Sequence, residues 1–190
     1  MGLATRLSGL ALLVAVCVAG NVTGAPPIPN PAAGRVFISP SGEPFRPTPG
    51  APDPFEAWFA HADTNHDGKI DREEFRADAG RFFKQLDADN DGVIDGFEIA
   101  AYERSVAPEL AVDGQGLSGD DPQGAPAVAL LSEPEPVSGA DSDLNSRINL
   151  AEWIAAADRR FDLLDKKKQG YLDHDALVAL LPKPGKARRP

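Results

Sequence analysis

Apolar residues recur at helical spacing in five places along the chain. Phe55, Trp58, Phe59 and Ala62 share one face, and Asp53-Pro54 before them reads as a helix start, since Pro is tolerated in the first turn. Residues 73–86 carry Phe75, Ala79, Phe82, Phe83 and Leu86 on one face and predict the next helix. Phe97, Ile99, Ala100 and Tyr102 mark a third, ending before Pro108. Leu150, Trp153, Ile154, Ala157, Phe161 and Leu164 mark a fourth. Leu177, Val178, Leu180 and Leu181 mark the last, stopped by Pro182. Phe59, Phe83 and Phe161 each sit four residues before an acidic stretch, so the pattern repeats as a unit.

Those polar stretches carry the chemistry. Asp63, Asn65, Asp67, Asp71 and Glu74 stand at positions 1, 3, 5, 9 and 12 of a 12-residue run with Gly68 at position 6 and Ile70 at position 8. Asp87, Asp89, Asp91, Asp95 and Glu98, with Gly92 and Ile94, repeat it. A lone Asp/Asn/Gly run is a common solvated turn. Two full copies closed by Glu are not explained that way, and each Gly falls where the chain must bend into positive φ. Ca²⁺ takes six to eight oxygens, and such a loop supplies them from side chains 1, 3, 5 and 9, a bidentate Glu at 12 and the main-chain carbonyl at 7, here Lys69 and Val93.

A third copy has Asp141, Asp143, Asn145, Asn149 and Glu152, with Arg147 at position 7 and Ile148 at position 8. Ser146 replaces Gly at position 6, which costs roughly 1 kcal/mol in a left-handed conformation, so weaker binding is expected. The fourth copy begins at Asp165 and keeps Gly170, Leu172 and Asp173. Lys167 puts an ammonium at position 3 and Ala176 removes the Glu, so this loop is expected to stay empty.

With these motifs over residues 53–181 the chain resembles the EF-hand family, most closely its bacterial secreted members, because the loops start only 24 residues apart (63 and 87, 141 and 165). One helix must then serve as exit of one hand and entrance of the next. The resemblance implies an all-α fold of two EF-hand pairs with very short β pairing between loops. Loops 1 and 2 would bind as a pair, Ile70 beside Ile94, and Ile148 beside Leu172. Pro134 and Pro136 preclude a normal entering helix before loop 3.

The expected organisation is a signal peptide over 1–25, an extended or disordered Pro-rich leader over 26–52, hand pairs over 53–107 and 137–182, a linker over 108–136 and a basic tail over 183–190. Arg6, then an apolar run from residue 7 to 20 and small residues, reads as a secretory signal, cut after Ala25 or Gly20. A membrane anchor is the alternative, but the run is short for a span and prolines follow at once. A lipoprotein reading through Cys17 meets an unsuitably large Val16. Removal of the signal takes the only Cys and the only Met with it, leaving packing and metal to stabilise the fold. Within the leader, residues 36–45 are oddly apolar (Val36, Phe37, Ile38, Phe45) and are expected to lie extended on the folded domain. Residues 127–131 form a short apolar run able to pair or pack.

The net charge of −10 is concentrated in the loops and argues against nucleic acid. His61, His66 and His174 lie in or beside loops, and no serine sits in a nucleophile elbow, so no catalysis is expected. The expected function is that of a secreted or periplasmic, metal-stabilised calcium-binding protein, with no stable membrane insertion once the signal is gone. A calcium sensor or docking module that recruits an unidentified protein partner is the alternative. Met-lined grooves serve that role in calmodulin-type sensors, and the mature chain has no Met.

Overall fold

The computed structural model describes residues 34–110 and 127–182. The expected signal sequence, the first part of the leader, most of the linker and the basic tail lie outside these residues. No helix among the described residues is long and apolar enough to cross a membrane.

The helices follow from their caps and faces. Helix α1 (Pro54–Ala62) opens at Asp53, whose carboxylate accepts from the Phe55 N–H, with Pro54 in the first turn. Helix α2 (Arg72–Leu86) and helix α4 (Leu150–Leu164) are the two shared helices, each 15 residues long. Helix α3 (Gly96–Ala101) runs on through a wider π-type turn over Tyr102–Val106 and stops ahead of Pro108. Helix α5 (His174–Val178) starts earlier than the apolar spacing suggests, and Leu180 and Leu181 belong to the turns that follow it. Before loop 3 there is only a 3₁₀ turn at Ser138–Ala140, as the two prolines require.

All-α is corrected to mainly helical with three small sheets among the described residues. Four strands lie in the loops: β3 (Lys69–Asp71), β4 (Val93–Ile94), β6 (Ile148–Asn149) and β7 (Tyr171–Asp173). Their pairing overturns the expected partners. Ile70 stands opposite Leu172, so loop 1 pairs with loop 4. Ile94 stands opposite Ile148, so loop 2 pairs with loop 3. Both pairs are antiparallel. The reason is the shared helix. A 15-residue helix is about 22 Å long, which puts loops 1 and 2 at its opposite ends, out of reach of one another. Each loop takes its partner from the other half of the chain. α2 and α4 pack side by side, and Trp153 donates its indole N–H to the Ala79 carbonyl at 2.8 Å. On the surface of this contact Arg76 forms a bidentate pair with Asp158 at 2.7 and 2.8 Å, and Arg72 reaches Asp158 and Asp162.

The third sheet comes from the leader and the linker. Strands β1 (Phe37–Ile38) and β2 (Pro44–Phe45) form a hairpin, and β5 (Val128–Ala129) pairs parallel with β1. A disordered leader is therefore corrected for residues 34–52. Phe37 is fully buried against Phe55 and Trp58, at ring distances of 5.4 and 5.3 Å. Tyr102 donates its hydroxyl to the Gly42 carbonyl at 2.7 Å, and Arg81 pairs with Glu43, which fastens the hairpin to α2 and to the π-type turn after α3. Buried Asp78 ties α1 to α2, accepting from the Trp58 indole at 3.1 Å and from Arg81 at 3.0 Å. One contiguous core includes Phe37, all four loop apolar residues and both tryptophans.

Candidate metal centre

Each loop is a helix end, a tight turn and a two- or three-residue strand, and the backbone repeats in all four. The position 1 Asp caps the preceding segment, and its carboxylate turns into the loop. Its Oδ2 accepts from the position 6 N–H: Asp63 from Gly68 at 2.9 Å, Asp87 from Gly92 at 3.0 Å, Asp141 from Ser146 at 2.8 Å and Asp165 from Gly170 at 2.7 Å. Position 6 is left-handed throughout, with φ of 79° at Gly68 and 63° at Ser146. Position 4 is left-handed too, at His66, Asn90, Leu144 and Lys168, which the sequence pattern did not reveal.

The position 9 residue and the closing Glu form a capping box at the next helix. Asp71 Oδ1 accepts from the Glu73 and Glu74 N–H groups, both at 2.8 Å, and Glu74 Oε2 accepts from the Asp71 N–H at 3.0 Å. Asp95 with Glu98 and Asn149 with Glu152 do the same. The other Glu oxygen reaches back across the loop. Glu74 Oε1 accepts from the Thr64 N–H at 3.0 Å and its hydroxyl at 2.9 Å, Glu98 Oε1 from the Ala88 N–H at 2.7 Å, and Glu152 Oε1 from the Ser142 hydroxyl at 2.9 Å. Thr64 and Ser142 were missed from sequence. Their signal was a hydroxyl at position 2.

Carboxylate oxygens of Asp87, Asp89 and Asp91 lie within 4.8 Å of one another, as do those of Asp141, Asp143 and Glu152. Loop 1 forms no cluster this close: the Asp67 N–H donates to Asp63 and Asn65 and the Lys69 N–H to Asp67, which closes the turn without bringing the Asp63, Asp67 and Glu74 carboxylates together, while Lys69 opens β3 with its ammonium over the Tyr171 ring at 4.4 Å. Val93 opens β4 and Arg147 immediately precedes β6.

Burial pushes the Glu74 carboxyl up, but the hydrogen bonds from Asp71, Thr64 and Asn65 outweigh it and hold the group below the ordinary carboxylate range. Hydrogen bonds from Asn149 and Ser142 lower Glu152. Desolvation raises Asp141, and the N–H groups of Ser146, Asn145 and Leu144 more than offset it. All three are anionic at neutral pH, the state a cation requires.

Loop 2 supplies the test of fit. In loops 1, 3 and 4 the position 1 Oδ1 accepts from the position 5 N–H: Asp63 from Asp67 at 3.1 Å, Asp141 from Asn145 at 3.2 Å and Asp165 from Gln169 at 2.9 Å. Asp87 Oδ1 is buried with no hydrogen-bond partner. A buried carboxylate oxygen without a donor is costly, and the carboxylate that carries it clusters with those of Asp89 and Asp91. All-oxygen donors of this kind suit a hard divalent ion. Loop 4 does not fit one. Asp165 is satisfied by main-chain donors, Asp173 caps α5, and Lys167 and Ala176 supply no ligand oxygen from positions 3 and 12.

A family model described as EF hand matches residues 55–77 and 81–101, covering hands 1 and 2. No curated protein matches the chain.

Proposed function

From the two matched EF hands, which bind Ca²⁺, we propose that this is a non-catalytic calcium-binding protein of the secreted or periplasmic space, in which the ion stabilises the fold. Asp63, Asn65, Asp67, Asp71 and Glu74 would hold one ion, with the Lys69 carbonyl. Asp87, Asp89, Asp91, Asp95 and Glu98 would hold a second, with the Val93 carbonyl. Asp141, Asp143, Asn145, Asn149 and Glu152, with the Arg147 carbonyl, would hold a third. Bound Ca²⁺ supplies positive charge that offsets the mutual repulsion of these carboxylates. The chain's own contribution is preorganisation. The capping boxes and the β3–β7 and β4–β6 pairs fix the donors to helix ends embedded in one core.

The observation that carries the stabilising role is the seat of Phe37. A sensor opens an apolar groove between its helices when calcium arrives. Here the leader hairpin occupies the apolar face of α1, with Phe37 fully buried between Phe55 and Trp58. Calcium then changes stability more than shape. The apolar run at residues 7–20 supports export.

The test follows the thermal midpoint and the binding of an apolar-surface dye as calcium is added to the full chain lacking its signal. A raised midpoint with unchanged dye binding is expected. A rise in dye binding on calcium addition, or capture of a defined partner only with calcium, would replace this reading by the sensor and docking one.

A further inference from the structure

The strand pairing divides the cation loops in a way their order along the chain does not. Loops 1 and 2 are neighbours in sequence, but they sit at opposite ends of α2, about 22 Å apart. That exceeds the ~8 Å Debye length at physiological ionic strength, so their ions barely sense each other through solvent. Loops 2 and 3 share the β4–β6 ladder, with Ile94 opposite Ile148 and both side chains fully buried. They also share a charge contact. Arg147, whose carbonyl stands at position 7 of loop 3, places its guanidinium 3.6 Å from Asp91, the position 5 carboxylate of loop 2. Both loops hold a converged acidic cluster, and in one of them a buried oxygen, Asp87 Oδ1, lacks a donor.

Loop 1 has a different partner. Loop 4 closes its turn with main-chain donors on Asp165 at 2.9 and 2.7 Å, and forms β7 with Leu172 buried, without needing position 3 or 12 oxygens. It is a finished template against which β3 is already ordered.

We propose that loops 2 and 3 are one coupled calcium-binding unit, joined through β4–β6 and restrained at loop 2 by the Arg147–Asp91 contact, whereas loop 1 binds calcium independently on the metal-free template of loop 4. This rests on the calcium reading above. An ion in either loop of the coupled unit orders its strand, and the ladder passes that order to the partner, which then loses less freedom when it binds. Couplings of this kind reach about 5–150-fold in affinity. Loop 4 takes no ion, so loop 1 has no second ion to couple with. Arg147 acts in the opposite sense on loop 2. Its cation neutralises Asp91 and repels an incoming dication.

Three amides report the loops separately, because each donates to the position 1 carboxylate of its own loop: Gly68, Gly92 and Ser146. Calcium titrations of the isotope-labelled full chain would follow these three signals by NMR. Glu152→Gln keeps the side chain that a capping box accepts, so α4 retains its start while loop 3 loses a charged ligand. The expected result is a shift of the Gly92 midpoint to about tenfold higher calcium, with the Gly68 midpoint unmoved. Glu74→Gln should move Gly68 alone. Arg147→Gln, which leaves the position 7 carbonyl in place, should move the Gly92 midpoint to several-fold lower calcium. A Gly92 midpoint that ignores Glu152→Gln, or follows Glu74→Gln, would overturn the coupling. A Gly92 midpoint unmoved by Arg147→Gln would overturn the role of the contact. Failure of all three amides to respond in the parent chain would instead refute calcium binding itself, so the two failures are distinct.

Discussion

Truncating Phe37 to Ala removes the ring that joins the leader to the helices. The ring is fully buried, edge-on to Phe55 at 5.4 Å and tilted over Trp58 at 5.3 Å. A buried aromatic side chain covers on the order of 150–250 Å², which at ~25 cal/mol per Å² amounts to about 4–6 kcal/mol. Ala retains part of that, and the hole left behind costs more, so the expected loss is about 3–5 kcal/mol. That is a large share of the roughly 5–15 kcal/mol of a typical domain. With a urea slope of about 2 kcal/mol/M, the midpoint should fall by about 1.5–2.5 M at saturating calcium. Phe37→Leu keeps most of the volume and should lose less. A loss below about 1 kcal/mol for the Ala variant would show that the hairpin is a detachable cover. The self-occupied face would then give way to an exposable one, and the sensor reading would gain.

Other positions give independent checks. His174 lies between Glu56 at 2.9 Å and Asp175 at 3.2 Å; burial lowers its pKa, and the two carboxylates outweigh this and raise it above the ordinary value. A raised folded-state pKa contributes stability that is complete below the unfolded value of ~6.5 and is lost as pH climbs through the folded value. Urea midpoints should therefore fall between pH 6 and pH 8 more steeply in the parent than in His174→Gln, and equal slopes would refute the contact's role. Ser146 is left-handed at φ 63°, so Ser146→Gly should relieve up to roughly 1 kcal/mol of strain and tighten loop 3 about two- to fivefold, read by calorimetry. Weaker binding in that variant would mean the serine contributes something other than strain. Arg160 is 3% exposed and pairs with Glu133 at 2.7 Å. Glu133→Gln leaves its charge buried and should cost about 2–3 kcal/mol by chemical denaturation, less than a fully buried pair because Glu133 reaches solvent. A neutral result would show the guanidinium is held by the Pro136 carbonyl alone.

The helices were legible because aromatic residues recur at a period only a helix satisfies, and Phe59, Phe83 and Phe161 do end up in the core. The turn of each loop was legible from Gly68 and Gly92. Which loops pair was not. Strands such as Val93–Ile94 are two residues long and carry no sequence preference for one partner over another. The choice is made by the length of α2, a rigid spacer whose consequence appears only in three dimensions. The parallel pairing of Phe37–Ile38 with Val128–Ala129 is the same kind of event. Each run reads as apolar, and nothing local names its partner across some ninety residues. Left-handed backbone at His66, Asn90, Leu144 and Lys168 was hidden because four unrelated side chains occupy it. The conformation is imposed by the closing hydrogen bonds, not chosen by the residue.

Those hydrogen bonds also separate what folds a loop from what fills it. The position 1 Asp accepts the position 6 N–H in all four loops, and position 8 supplies a buried aliphatic side chain in all four. Neither contact involves positions 3 or 12. Loop 4 keeps the first set in Asp165, Gly170 and Leu172 and lacks the second in Lys167 and Ala176. Its strand still pairs with β3 along three residues, Tyr171 with Asp71 through Asp173 with Lys69. A loop can therefore lack oxygens at positions 3 and 12 and remain a structural partner, because the residues that close the turn differ from those at positions 3 and 12. In loop 2 the two sets are least separable. Asp87 closes the turn with Oδ2 and leaves Oδ1 without a donor, so one carboxylate serves the fold with one oxygen and is open to the ion with the other.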